Sequence, residues 1–354
     1  MTLREEALHA FVGKMLTDLG GAFGTPTTRL GFRLGLYDSL HENGPLTADQ
    51  LADRAGLKGR RLVREWALAQ ASNGFITYDA AGDRFALSPE QAMVFAVRNS
   101  PVYMEGAFDL AAAMIEAEPR VEAAFRDGGG VAWGEFGGCL FCAVGAFFRP
   151  GYVNSIAQAW VPALDGMEAR LEEGAKVADI GCGVGHSTLL MAKAWPASRF
   201  VGYDFHPASI AEARTHAAEH GLGHRVRFET MAAKEIAEDG FDLITMFDCL
   251  HDMGDPAGCA AHLATLLKPD GALMLVEPIA SDNVAANIGN PVSRLYYNGS
   301  TMVCCPTSLA QEVGTALGAQ AGEAKLTAVL NDAGFSRVRR ATEGPFNMIL
   351  EARH

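Results

Sequence analysis

The stretch Val177-Ala178-Asp179-Ile180-Gly181-Cys182-Gly183-Val184-Gly185-His186 constrains this chain more than any other. A short apolar run carrying an acid, then glycines at alternate positions, then residues able to start a helix, predicts a strand, a tight loop and a helix N-terminus. Glycine costs chain entropy, so this density marks a loop whose backbone needs positive φ or lies close against a ligand. The dinucleotide fingerprint Gly-x-Gly-x-x-Gly fails because His186 stands at its third glycine position. The phosphate-cradling loop fails too, since no Gly-Lys-Ser/Thr follows. A glycine-rich turn of some other α/β protein stays open on this stretch alone.

At 354 residues the chain exceeds one ordinary domain and predicts more than one. Its apolar run from Leu140 to Phe148 is half the roughly 18 residues of a membrane span. Glu5 and Glu6 precede any apolar run, unlike a signal peptide, so a cytoplasmic protein without a membrane partner is expected. A net charge of −13 repels nucleic acid unless a local basic patch overrides it. The irregularly spaced cysteines predict reduced thiols. Cys139, Cys142, Cys304 and Cys305 could supply four zinc ligands, but apolar neighbours such as Leu140, Phe141 and Val303 favour buried thiols and no metal.

Residues 3 to 24 are predicted helical, with breaks at Gly20-Gly21 and Thr25-Pro26, and a second helix runs from Arg29 to Leu40. Thr47 and Gln50 form a capping-box pattern ahead of a third helix. Another follows from Leu57 to Ala71, then Phe75 to Tyr78 and Arg84 to Leu87 as a hairpin. Two helices, a turn and a hairpin make a winged helix-turn-helix. Lys58, Arg60, Arg61 and Arg64 cluster where a DNA-recognition helix would begin, which raises a DNA-binding regulator as the second functional class. Residues 1 to 90 carry nearly equal numbers of acids and bases, which favours a dimerisation and capping module instead.

From Ser88 to Gly174 the chain reads as helical, with breaks at Glu118-Pro119, Gly128 to Gly130, Gly137-Gly138 and Pro150-Gly151. Its many aromatic residues suit a lid over a substrate pocket, with Phe148, Tyr152 and Asn154 as candidate pocket residues. Strand and helix then alternate in the doubly wound manner of an α/β fold. Asp204, at the end of the second strand, can accept both ribose hydroxyls of a nucleoside lying at the switch point. Further strands are predicted at 225–229, 241–246 and 272–278, with two more between Phe335 and Arg353; Lys268 to Gly271 is read as a turn. The segment 278–322 is an insertion.

Asp179-x-Gly181-x-Gly183-x-Gly185 resembles motif I of the class I S-adenosylmethionine-dependent methyltransferases. Leu34 to Asp38, Gly44 to Thr47 and Leu51-Ala52 resemble the N-terminal module of plant caffeic-acid and hydroxyindole O-methyltransferases. The whole is similar to actinobacterial methyltransferases with an N-terminal winged helix. The resemblance spans nearly the full length, and Phe247 to Met253 and Gly318 to Glu323 are its most specific parts. It implies a Rossmann-like seven-stranded domain at 174–354, a winged-helix dimerisation domain at 1–88 and a helical linker or lid at 89–173.

S-adenosylmethionine is the implied cofactor, S-adenosylhomocysteine its product, and a homodimer the implied assembly. The implied cofactor residues are Asp179, Gly181, Gly183, Gly185, Asp204, Phe205, Met231, Ala232, Phe247 and Asp248, with the adenine near Met231 and Ala232. His251 matches the histidine that serves as base in the caffeic-acid type, and Glu277 matches the carboxylate that orients it. Met253 stands where that type has tryptophan, and Gln320 where it has a second orienting glutamate. An imidazole near its ordinary pKa would take the proton of a phenol as attack proceeds. His251 could instead contact the methionine moiety, and a carboxylate or thiolate acceptor would need no base. The expected function is methylation of a hydrophobic small molecule, most simply at oxygen.

Overall fold

The computed structural model describes residues 3–137 and 139–354; Gly138, at one of the expected breaks, lies outside them. The chain divides into two compact units that meet in sequence at Ala112/Ala113.

The first unit opens with α1 (Glu5–Arg33) and α2 (Leu36–Asn43). Unlike the expectation, α1 runs unbroken through Gly20, Gly21 and Pro26. The chain turns instead at Gly35, whose φ is +62°. Contacts with α4 (Arg60–Ser72) override the local breakers: Trp66 Nε1 donates to the Thr27 carbonyl at 2.8 Å, and Gln70 Nε2 donates to Thr27 Oγ1 at 3.0 Å. Between them lies α3 (Ala48–Arg54), which begins with the anticipated capping box of Thr47 and Gln50. The wing is β1 (Thr77–Asp79) paired antiparallel with β2 (Arg84–Ala86). Leu36, Tyr37, Leu51 and Phe85 are buried in this unit's core. Of the four basic residues on α4 and before it, Arg60 pairs with Asp53, Arg61 with Glu65 and Arg64 with Asp83. α5 (Pro89–Phe95) and the first part of α6 (Glu105–Asp127) complete the unit.

α6 passes through Pro119, and α7 (Leu140–Ser155) passes through Pro150, so both expected breaks lie inside helices. Burial of Ala117 and Val121 around the first proline, and of Ala143 and Tyr152 around the second, outweighs one lost hydrogen bond each. The reduced-thiol expectation also changes here: Cys139 and Cys142 form a disulfide at the start of α7, while the other five cysteines are free.

After α8 (Met167–Glu173) the sheet begins: β3 (Lys176–Ile180), α9 (His186–Ala194), β4 (Arg199–Asp204), α10 (Pro207–Glu219), β5 (Val226–Thr230), β6 (Phe241–Phe247), α11 (Pro256–Leu266) and β7 (Leu267–Pro278). The insertion holds α12 (Val284–Asn287), α13 (Pro291–Gly299), a π-turn at Ser300–Cys304 and α14 (Cys305–Leu309). The chain finishes with α15 (Glu323–Asp332), β8 (Arg337–Glu343) and β9 (Asn347–Arg353). The seven strands lie in the order β5-β4-β3-β6-β7-β9-β8. Only β8 and β9 introduce antiparallel pairs. Lys268 to Gly271 is absorbed into β7 as an irregularity, where pairing with β6 jumps from Phe241↔Leu267 to Leu243↔Ala272. Side chains alternate between faces, Val177 toward one buried layer and Ala178 and Ile180 toward the other.

Candidate active site

Strand register assembles the site. Ile180 pairs with Tyr203 on one side and Met246 on the other. The next residues, Gly181, Asp204 and Phe247, therefore leave the sheet side by side at its carboxyl edge, where strand order reverses. A cavity of about 520 Å³ opens there.

Gly181, Gly183 and Gly185 all have positive φ, but for different reasons. A Cβ on Gly185 would come 2.6 Å from Phe228, and one on Gly181 would come 2.8 Å from Cys249 Sγ. At Gly183 nothing lies within 4 Å of that point, so the backbone faces open space. Gly181 and Gly183 line the cavity; Gly185 does not. α7 lies directly over the loop because Gly145 lacks a side chain: a methyl there would come 2.7 Å from Val184.

Asp179, expected at the cofactor, is buried below the loop. It accepts hydrogen bonds from Ser187 and Thr188 at 2.6 and 2.5 Å, and from Thr245 at 3.0 Å. Burial pushes its pKa up to about 6 against those three bonds. Its role in the structure is to tie the loop to α9 and β6. Asp204 does line the cavity; Oδ2 accepts from the Gly183 amide at 2.9 Å and Oδ1 from the His206 amide at 2.8 Å. Phe205 and Ala232 also reach the wall. Met231 does not, because its amide donates to the Asp204 carbonyl at 2.9 Å and its side chain packs into the sheet layer beneath.

Phe247 and Asp248 line the opposite side. Asp248 has a φ of +50°, a strained setting that marks functional loops. Its Oδ2 accepts from Tyr152 at 2.9 Å and its Oδ1 from Asn347 at 2.6 Å. Burial, reinforced by Glu277, pushes its pKa up to about 8. Phe148 and Tyr152 stack with centroids 5.9 Å apart and both line the cavity. Asn154, the third expected pocket residue, does not line it; its Nδ2 donates to the Pro150 carbonyl at 2.8 Å.

His251 and Glu277 do come together. Phe247 pairs with Val276, so Glu277 follows on the neighbouring strand and accepts from the Leu250 amide at 2.9 Å and from His251 Nδ1. The other ring nitrogen, Nε2, lies 3.1 Å from Asp252 Oδ1. The position of the second orienting glutamate is held by Gln320, with Glu323 three residues later. Gln320 instead donates to the Ile279 carbonyl, and Glu323 pairs with Arg340. Asp252 was in plain view, one residue from the histidine, but its side of the ring is set only by the turn Leu250–Asp252. Burial would lower the His251 pKa, yet Asp252 and Glu277 outweigh it and hold it well above the ordinary imidazole value. The expectation of an ordinary imidazole is thereby corrected. His251 itself does not line the cavity; Asp252, in front of it, does.

Other parts of the wall carry no motif in the sequence: Trp133, Phe141 of α7, and Thr307, Gln311 and Glu312 from the insertion. Only aromatic density hinted at the first pair. Lys234 is the single lysine or arginine among the described lining residues, and it pairs with Asp255 at 2.9 Å and with Glu312.

The sheet order, the glycine loop and the acid on the adjacent strand end define a class I methyltransferase domain. The residues present suit a nucleoside cofactor: open backbone at Gly183, a carboxylate at Asp204 and an apolar wall at Phe205 and Ala232. Residues 171–334 match the family described as methyltransferase domain, and residues 25–97 match the Rv2258c-like winged HTH domain. The chain thus carries a methyltransferase domain preceded by a winged HTH domain.

It is 34% identical over 128 residues to trans-aconitate 2-methyltransferase of Escherichia coli O1:K1, covering 36% of this chain and 49% of that protein. The match thus spans about half the length of such relatives. Among solved structures, mitomycin 7-O-methyltransferase MmcR superposes with a TM-score of 0.69 at 23% identity, over 99% of this chain and 100% of that one. Human N-acetylserotonin methyltransferase, solved with S-adenosylmethionine, gives 0.72 at 17% identity over 97% of each chain. At these identities the likeness is one of fold. No helix among the described residues is long and apolar enough to cross a membrane.

Proposed function

We propose that this protein is an S-adenosylmethionine-dependent methyltransferase acting on an uncharged or cationic aromatic small molecule, at oxygen. The observation that carries this reading is the cavity itself, with the glycine loop and Asp204 on one side and the Glu277–His251–Asp252 row on the other. Bound there, S-adenosylmethionine supplies an electrophilic methyl group that needs no further activation.

The chain's own residues do the rest. Gly181, Gly183, Asp204, Phe205 and Ala232 hold the nucleoside, and Phe247 and Asp248 flank the reacting end. Phe148, Tyr152, Trp133 and Phe141 supply flat apolar surface for the acceptor and exclude water. The acceptor hydroxyl proton goes to the His251–Asp252 pair, with Glu277 fixing His251 through Nδ1. Asp248, Asp252, Asp255 and Glu312 face the cavity, and Lys234 is already paired. A polycarboxylate acceptor, such as the one named for the trans-aconitate enzymes, meets the acids Asp255 and Glu312 there and no unpaired lysine or arginine among the described lining residues.

In this reading residues 1–88 serve dimerisation, 89–173 supply the connector and lid, and 174–354 carry the transferase. Exposed Leu8, Phe11, Met15, Leu16, Leu19 and Phe23 on α1 offer an apolar surface suited to a second copy. The paired arginines of α4 weigh against a DNA-binding regulator.

The test is a panel of hydroxylated aromatics and polycarboxylates, scored by S-adenosylhomocysteine release, with cofactor affinity measured separately. Turnover of a neutral phenol over trans-aconitate is expected. Failure to bind S-adenosylmethionine, or preference for the polycarboxylate, overturns the proposal. Light scattering decides the dimer, and a monomer refutes it.

A further inference from the structure

We infer that His251, Asp252 and Cys304 form a binding site for one soft divalent metal ion, of which Zn²⁺ is the physiological candidate. The binding of the ion does not depend on methyl transfer; only its consequence for the base rests on the proposed function.

The argument begins with the proton on His251. Nδ1 donates to Glu277, so in the neutral ring Nε2 carries a lone pair. That lone pair lies 3.1 Å from a carboxylate oxygen, Asp252 Oδ1, which is buried and has no hydrogen-bond partner among the described residues. Two acceptors at that distance repel unless a cation lies by both, either a proton or a metal ion. The third neighbour distinguishes these cases. Cys304 Sγ stands with Nε2 and the Asp252 oxygen in a group whose ligand atoms are all within 4.8 Å of one another. A thiol is only a weak hydrogen-bond partner for a proton there, whereas it is a strong ligand for a soft metal, so the grouping of all three atoms points to the metal.

The surroundings match those of a metal-binding histidine. Its far nitrogen is fixed by a buried carboxylate, the carboxylate–histidine–metal arrangement that orients the ring and raises its basicity. Cys304 ends a π-turn, Ser300–Cys304, a distortion frequent at functional positions. That turn is held from the other side: Ser300 Oγ accepts from the Ala319 amide at 3.2 Å, next to Gly318 at φ +74°. Imidazole, carboxylate and thiolate are three protein ligands for zinc, leaving a fourth position for water or a substrate atom. Tetrahedral zinc needs ligand atoms about 3.5 Å apart, so closure asks for small side-chain shifts. Binding displaces the thiol proton of Cys304 and any proton on Nε2 to solvent; nothing is oxidised or reduced. Because the ion takes the lone pair that would accept the substrate proton, occupancy blocks the base.

The experiment uses the full-length, reduced, metal-stripped protein without methyl donor or acceptor. Zn²⁺ is titrated in competition with a chromophoric chelator, and Co²⁺ is added separately to record its absorption spectrum. One ion per chain is expected, with a thiolate-to-cobalt charge-transfer band. Cys304→Ser and Asp252→Asn should each weaken binding at least about tenfold, and Glu277→Gln roughly tenfold to a hundredfold. Cys305→Ser, one residue away, should leave affinity unchanged. A Cys304→Ser protein that binds like wild type overturns the inference. So does a wild-type cobalt spectrum lacking the thiolate band, a readout that needs no variant to fold.

Discussion

Tyr152 donates its hydroxyl to Asp248 Oδ2 at 2.9 Å, and this bond ties α7 to the strained end of β6. The two residues are 96 positions apart, and both line the same cavity. The bond therefore holds the roof of the site to its floor.

Replacing Asp248 separates its charge from its shape. Its pKa is raised from 3.8 to about 8 by burial, so the folded state prefers the neutral carboxyl. The stability it contributes is complete below pH 4 and is lost as pH rises through about 8. Asp248→Asn tolerates the left-handed backbone and should melt within about 5 °C of wild type at pH 7, then exceed it at pH 9. Asp248→Ala should lose about 2 kcal/mol or more at both, through strain and two orphaned donors. Thermal melts at the two pH values check this; parallel curves for wild type and Asp248→Asn would contradict it.

Two glycines of one loop should fail differently. Gly183→Ala meets no atom within 4 Å, so it costs roughly 1 kcal/mol of stability for its positive φ while putting a methyl where cofactor must approach. Cofactor affinity should fall at least about tenfold with folding intact. Gly185→Ala drives a methyl to 2.6 Å from Phe228 and should destabilise by about 2–4 kcal/mol. Isothermal titration beside chemical denaturation separates the two outcomes.

The methyl-transfer rate should rise with pH through a value above the ordinary imidazole pKa, because Asp252 and Glu277 stabilise the protonated ring against its burial. Glu277→Gln removes one of those charges and should move the rising limb to lower pH while reducing the maximum. His251→Ala should cost about 10²–10⁴ in single-turnover rate. A loss below tenfold, with cofactor affinity retained, would remove His251 from proton transfer.

His186 gives a second pH signature. Burial, helped by the neighbouring His216, lowers its pKa from 6.5 to about 4. The unfolded chain then binds a proton that the folded chain refuses, so stability falls as pH drops from 6.5 toward 4. The slope amounts to roughly 2–3 kcal/mol across that window. Denaturant midpoints for His186→Gln should be flatter there, and an unchanged slope would assign the effect to other groups.

Much of this protein was legible because local chemistry repeats itself in any context. Alternating strand and helix patterns, the glycine loop at 181–185 and the Thr47 capping box need only neighbouring residues, and each formed as read. Asp204 ends β4 and lines the cavity, as its local pattern implies, because a strand end is a local event. Prolines misled the reading wherever burial on both sides of them, as at Ala117 and Val121, outweighed a lost hydrogen bond. Asp179 and Met231 carry the right motif positions, yet their polar groups are spent on Thr188 and Asp204 inside the domain. Only the tertiary structure brought Asp252 and Cys304 to the far side of the His251 ring, since a turn and an inserted π-helical bend set those directions. Sequence alone determined that a nucleoside-binding sheet edge exists here; the packing of distant segments decided which side chains face it, because side-chain direction depends on contacts that no local pattern records.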